Sequence, residues 1–314
     1  MFDIVCVGIL VADVIIKPVN VLPGKGLLDL VDSIQLFNGG NAMTSAVNAS
    51  KLGLSAAVAG KIGSDAFGDF IKGVLLSNNV NCDGLVTDDE VQTSASVVIS
   101  DSDGERTFLH CIGANGTFSI EDIRRDVIER AKAVFVTGSF LMDTFDGEQT
   151  MEFLRRCKDM KKITALDVCW DSKGRWSELL FPVLPYVDIF MPSVDEAREL
   201  AKCSDVEKMS DRFIQYGAKT VLIKLGKDGC YLRENSETSG YIIPACKNIT
   251  PVDTTGAGDS FCSGFLTAYL KGMNLCDCAR FANSAGALSV TAQGATTGIT
   301  GYNDVERLMK KNYS

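Results

Sequence analysis

Residues 2–9 form an apolar run rich in β-branched side chains, charged only at Asp3, and Asp13 stands just beyond it. A run of that length and composition predicts a strand buried on both faces. Small and apolar residues recur at helical spacing over 41–52 and stop at Gly53, which predicts a helix. A strand follows at 55–59 and a helix at 65–76. Further apolar runs predict strands at 133–136, 163–167, 187–191 and 220–224, with helices at 120–130, 147–160, 194–202 and 206–216 between them. Strand and helix alternate about every 20–35 residues, the pattern of an α/β fold with a mostly parallel sheet covered by helices. Beyond about residue 254 the pattern is almost wholly helical.

Two stretches break this rhythm. Residues 27–37 alternate loosely, with Asp29, Asp32 and Ser33 between apolar positions. Residues 93–100 and 107–112 flank Asp101-Ser102-Asp103-Gly104-Glu105, a hairpin-turn composition. They predict a small antiparallel sheet, residues 14–37 and 91–112, inserted into a main domain of 1–13, 38–90 and 113–314. Insertions at the carboxyl ends of parallel strands sit where such sheets bind ligands, and serve as lids.

Composition narrows the function. With 314 residues the chain is one large domain or two ordinary ones. Its 46% hydrophobic and 23% charged residues match soluble globular averages. No apolar run approaches the roughly 18–20 residues of a membrane helix. Residues 4–16 are interrupted by Gly8 and Asp13 and follow no basic segment, so they make a poor signal peptide, and a cytoplasmic protein with no membrane partner is expected. The balance of 31 basic and 40 acidic residues, 31 − 40 = −9, argues against nucleic acid as a partner. Eleven scattered cysteines read as reduced thiols, and Cys276 and Cys278 lack a zinc spacing. A single histidine, His110, excludes His-based metal sites and most catalytic triads. Chemistry is left to carboxylates, backbone amides, Lys/Arg or a bound ion.

The segment Val252-Asp253-Thr254-Thr255-Gly256-Ala257-Gly258-Asp259-Ser260-Phe261 follows an expected strand and opens a helix. Gly256 and Gly258 let the chain curl so that successive N–H groups face one concavity, and the helix N-terminus adds its positive end. This makes an anion hole for a transferring phosphoryl group. Asp259, in the first helical turn, is placed to accept the proton of an attacking hydroxyl. No G-x-x-x-x-G-K-[ST] occurs, and no G-x-G-x-x-G follows the first strand.

The whole chain resembles the PfkB/ribokinase family of carbohydrate kinases. The carboxyl signature runs from Asp253 to Phe261. The amino signature is Gly39-Gly40-Asn41-Ala42 through Leu52-Gly53, then Gly60-Lys61-Ile62-Gly63-Ser64-Asp65-Ala66-Phe67-Gly68. Gly104-Glu105-Arg106-Thr107 and Gly113-Ala114-Asn115 also match. The resemblance implies a doubly wound α/β domain with a β-sheet lid, and MgATP-dependent phosphorylation of a sugar hydroxyl. Asp259 would be the general base, and Gly256, Ala257 and Gly258 would offer N–H groups to the migrating phosphoryl. Asp13 would hold sugar hydroxyls, as an acceptor-only carboxylate can. Gly39 and Gly40 would let the sugar approach the backbone, or simply lead into a helix, and Asn41 would touch a hydroxyl. Thr44 stands where many relatives carry asparagine and has shorter reach, which leaves the sugar's identity open.

The resemblance also assigns Lys224, Gly226 and Gly229 to the ATP site. Glu196, in Pro192-Ser193-Val194-Asp195-Glu196, would organise water around Mg²⁺; Ser193 with Glu196 is equally a capping box. Asn283 aligns with a residue near the adenine, or is a helix-surface amide. Asp253 and the carbonyls of Thr255, Ser289, Ala292 and Gly294 would hold a monovalent cation such as K⁺. Arg106 and His110 lie on the second lid hairpin, either closing over sugar and phosphate or merely exposed. Trp170, Trp176 and the segment 167–171 read as strand-end packing. A nucleoside kinase with an acceptor pocket walled by Phe37, Phe108 and His110 is the alternative activity. A non-catalytic sugar-binding protein is the alternative class. An exposed lid sheet with open edges predicts a homodimer through the lid.

Overall fold

The computed structural model describes residues 1–103, 105–235 and 237–313. Gly104, read above as part of the hairpin turn and of the family pattern, lies outside them. The chain begins with β1 (Phe2–Gly8), β2 (Val11–Lys17), β3 (Ser33–Gly39), α1 (Asn41–Lys51), β4 (Ala56–Gly63) and α2 (Ala66–Ser77). It continues through β5 (Asn81–Asp88), β6 (Ala95–Ser100), β7 (Arg106–Cys111), β8 (Ala131–Ser139), α3 (Glu148–Asp159), β9 (Ile163–Val168) and β10 (Ile189–Phe190). Then come α4 (Val194–Ala201), α5 (Val206–Gln215), β11 (Thr220–Lys224), β12 (Cys230–Arg233), β13 (Tyr241–Ile243), α6 (Ala257–Leu270), α7 (Leu275–Ser289) and α8 (Tyr302–Tyr313).

The main sheet has the order β13-β12-β11-β10-β9-β8-β1-β4-β5. Pairing is parallel from β11 to β5, and β12 and β13 add antiparallel at one edge. β1 is buried along nearly its whole length because both its edges and both its faces are covered. Met43, Ile71, Phe265 and Phe281 pack one face of the sheet, from α1, α2, α6 and α7. Phe153, Leu200 and Phe213 pack the other, from α3, α4 and α5. The fold is therefore doubly wound. Strand order reverses between β1 and β8, and a ligand crevice is expected outside their carboxyl ends. Among the described residues no helix is long and apolar enough to cross a membrane.

The lid is a four-stranded sheet, β3-β2-β6-β7. It is not purely antiparallel as expected: the central pair, β2 and β6, is parallel, since both strands run outward from the main sheet. It also starts earlier, at Val11, so Asp13 lies within the sheet. Only Ile9 and Leu10 separate β1 from β2. The Leu10 N–H donates to Asn115 Oδ1 (3.1 Å) and the Asn115 Nδ2 donates back to the Leu10 carbonyl (3.0 Å), so one side chain fastens this junction.

The structure departs from the sequence pattern elsewhere too. The helix over 120–130 is a short 3₁₀ turn, Ile120–Asp122, then a separate turn of helix, Arg125–Glu129. Asp122 accepts from the Ser119 N–H (2.8 Å) and closes the first turn on itself. β5 and β12 were not anticipated, and the strand expected ahead of Val252 is the short β13; β5 and β13 lie at the two edges, with β12 buried beside β13.

Candidate active site

Gly256 caps α6 in the left-handed region (φ 72°), which a side chain would strain. The Ala257 N–H turns back to the Thr254 carbonyl (3.3 Å). Among the described residues the N–H groups of Gly258 and Asp259 have no backbone acceptor, so they remain available to an anion at the helix end. Gly40 leads into α1 with φ 82°, and a β-carbon there would stand 2.6 Å from the Ile9 carbonyl oxygen. That close approach brings Asn41 beside Asp259: the Asn41 Nδ2 donates to Asp259 Oδ1 at 2.7 Å.

A cleft of about 550 Å³ opens here, lined by Asn41, Asp167, Cys169, Glu196, Lys224 and residues 256–259 among others. The Lys224 Nζ donates to both Asp167 oxygens at 2.8 Å. A β-carbon on Gly258 would sit 3.4 Å from that Nζ, so the ammonium lies against the glycine-rich turn. Burial alone would lower the Lys224 pKa; the Asp167 carboxylate outweighs it and raises it. Burial pushes Asp259 up to about 7, and the Asp167 charge adds to that, while Lys224 and the Asn41 hydrogen bond work downward. A carboxylate of that basicity suits proton abstraction near neutral pH. Ser193 and Glu196 form the expected capping box, with the Ser193 N–H donating to Glu196 Oε2 (2.7 Å). Among the described residues no cluster of three or more His, Cys, Asp and Glu side chains could hold a metal. Glu196 and Asp167 are the carboxylates of the cleft that could meet the water shell of a phosphate-bound magnesium ion.

On the lid, register pairs Phe37 with Asp13, Asp13 with Ser96 and Ser96 with His110. Directly opposed residues share a sheet face, so these four form one row. Ser96 Oγ and His110 Nδ1 are 3.1 Å apart. A β-carbon on Gly39 would collide with the Asp13 carboxylate, so only glycine permits that carboxylate its position. Burial raises the Asp13 pKa, opposed by the Ser96 hydroxyl, and lowers that of His110. Thr44 is buried in α1, 1% exposed, and is not part of the row.

The nucleotide-side residues gather at a second cavity of about 420 Å³. Lys224, Gly226, Gly229, Gly258 and Asn283 line it together with apolar residues such as Ile249 and Val290. Asn283 is no surface amide. It is 7% exposed, and its Nδ2 is committed to the Ile243 and Pro244 carbonyls (3.1 Å each).

Arg106 does not stand free on its hairpin. Its guanidinium crosses from the lid to the loop before α6, reaching Asp253 Oδ1 (3.1 Å), Thr255 Oγ1 (2.5 Å) and Thr254 Oγ1 (3.2 Å). Asp253 Oδ1 also accepts from the Thr255 N–H (2.9 Å) and hydroxyl (2.7 Å), and Oδ2 from the Gly294 N–H (2.9 Å). Burial works to raise the Asp253 pKa, but these donors and the Arg106 charge leave it below the usual range. The loop holding Ser289, Ala292 and Gly294 is laced to this one by the Val252 N–H donating to the Val290 carbonyl (2.7 Å). The residues expected around a monovalent cation are thus neighbours. Their carboxylate already carries four donors, one of them cationic, which fits a guanidinium better than an added metal ion.

The segment 167–171 is not a packing cluster throughout. Trp170 packs edge-on against Trp176, with centroids 5.0 Å apart, and Asp171 accepts from the Trp176 N–H (2.8 Å). Asp167, Val168, Cys169 and Trp170 all line the cleft beside Asp259.

The model of the pfkB family carbohydrate kinases matches residues 1–300. An uncharacterized sugar kinase of Archaeoglobus fulgidus is 28% identical over 250 residues, covering 80% of this chain and 97% of that protein. A probable fructokinase-5 of Arabidopsis thaliana is 29% identical over 319 residues, with 93% and 94% covered. The structure of Arabidopsis thaliana ribokinase complexed with ribose and ATP superposes with a TM-score of 0.86 at 25% identity, covering 98% of this chain and 99% of that one. A match of this extent, on a doubly wound fold with a lid and an open helix end, is decisive: the chain belongs to the pfkB family of carbohydrate kinases, which are phosphotransferases.

Proposed function

We propose that this sugar kinase transfers the γ-phosphoryl group of MgATP to a hydroxyl of a small sugar or sugar acid of the fructose, ribose or 2-keto-3-deoxygluconate type. The observation that carries this is Asp259, a carboxylate pushed to about neutral basicity beside an unsatisfied helix N-terminus and the Lys224 ammonium. Asp259 takes the acceptor's proton. The free amides at the start of α6 receive the charge that builds on the phosphoryl oxygens. Lys224, fixed by Asp167, adds a cation on the same side. Magnesium, when bound with ATP, neutralises phosphate charge. The Phe37–Asp13–Ser96–His110 row meets the acceptor, with Asp13 taking hydroxyl protons into hydrogen bonds. The lid excludes water, a competing acceptor. Adenine enters the apolar cavity beside Asn283. Potassium has a small role at most, since Arg106 already supplies positive charge at Asp253.

Phe37, Phe108 and His110 on the lid favour a second reading, a nucleoside kinase, because aromatic faces stack on a base. One panel tests both: ATP consumption with fructose, ribose, 2-keto-3-deoxygluconate and adenosine. Turnover of a sugar at least tenfold above adenosine is expected. Preference for adenosine selects the second reading, and binding of sugar with no turnover of any acceptor rejects both.

A further inference from the structure

The catalytic cleft contains a thiol that the chemistry above does not use. Cys169 stands just past the end of β9, and its Sγ donates to Asn41 Oδ1 at 3.2 Å. The other end of that amide donates to Asp259 Oδ1 at 2.7 Å. A side-chain amide can turn over, exchanging its oxygen and nitrogen. Turned over, Asn41 would press its oxygen against the Asp259 carboxylate, acceptor against acceptor, and its NH₂ against the thiol. The thiol's proton favours the arrangement observed. Burial, with the charges of Glu196, Asp167 and Asp259, holds Cys169 well above the ordinary thiol range, so it remains a donor through the working pH.

We propose that Cys169 and Asn41 are positioning residues: the thiol orients the amide, the amide occupies one oxygen of Asp259, and the other oxygen is left for the acceptor hydroxyl. This rests on Asp259 being the base. The titratable groups that interact with Asp259 are Asp167 on β9, Cys169 just past it, Lys224 on β11, Glu196 on α4, Cys6 on β1 and Cys262 on α6. Against that crowd, Asn41 is the sole side-chain donor on the carboxylate among the described residues. It favours the ionised, proton-accepting form. Without the thiol the amide oxygen loses its one donor among the described residues, and the amide is held by its Asp259 contact alone, so its hold on the ionised form weakens.

The test is kcat/KM against pH, from about pH 5 to about pH 9, for the full-length enzyme and its Cys169→Ala, Cys169→Ser and Asn41→Ala variants. Asn41→Ala is expected to move the acid midpoint up by about one unit, the scale of one hydrogen bond to a charged group, and Cys169→Ala to move it in the same direction by less. Cys169→Ser keeps a donor and is expected to keep the midpoint. A Cys169→Ala profile that overlays the parent's overturns the proposal, and so does an equal shift in Cys169→Ala and Cys169→Ser. Should Cys169→Ala fail to fold, an unmoved midpoint in Asn41→Ala overturns it alone. A parent profile with no acid limb, together with an active Asp259→Asn enzyme, rejects the base itself and not merely its positioning.

Discussion

Asp259 carries the heaviest load among single residues. Replacing it with asparagine keeps the shape and removes the proton acceptor, so kcat should fall on the order of 10²–10⁴-fold in steady-state assays. The parent enzyme should lose kcat/KM below about pH 7, where the buried carboxyl is protonated. Stability runs the other way. A carboxyl whose folded pKa is raised contributes fully below its unfolded pKa of about 4, and that contribution is lost as pH rises through about 7. Asp259→Asn should therefore melt at a higher temperature than the parent at about pH 8 by scanning calorimetry, an expected exchange between activity and stability. Asp259 and its glycines are legible in the sequence because they form one local motif at a helix start. Asp167, Cys169 and the Asn41–Asp259 bond are not, because each links segments far apart in the chain, and nothing local marks them.

Among the elements, the lid hairpin matters most. β6 and β7 follow from the hairpin-turn composition between residues 93–100 and 107–112, but the reach of Arg106 across to Asp253 depends on how the two sheets face each other, which local sequence does not record. Arg106→Ala should raise KM for the sugar about tenfold, the scale of a lost charge-assisted contact, and raise ATP hydrolysis without acceptor by admitting water. Exchange of K⁺ for tetramethylammonium should change the parent's kcat by less than about threefold, and the Arg106→Ala enzyme's by more. A parent enzyme that needs potassium would remove the guanidinium from that role. β5 and β13 escaped the pattern because edge residues face water on one side and need not be apolar, and β12, though buried, is only four residues long, too short for a pattern to mark it.

For the whole molecule, the alternation of strands and helices was enough to indicate a mostly parallel sheet, since parallel strands must return through covering helices, while its double winding followed from the family resemblance. Assembly follows from the lid. β7 is an open edge exposed along its length, and Phe108 and Leu109 lie 59% and 63% uncovered. We expect pairing through this edge, read by light scattering as about twice the chain mass, and a return to the single-chain mass on Leu109→Lys. The lid hangs from the main sheet at Leu10, clasped by Asn115. Asn115 stands five residues beyond His110, so its bonds to Leu10 tie the foot of β2 to the foot of β7. Asp13 and His110, in one row near that tie, are held close to the main sheet, whereas Arg106 lies at the outer end of β7 and makes its own bridge to Asp253. The row is thereby braced from both strands before any ligand arrives, and the rim of the lid rests on the Arg106–Asp253 ion pair.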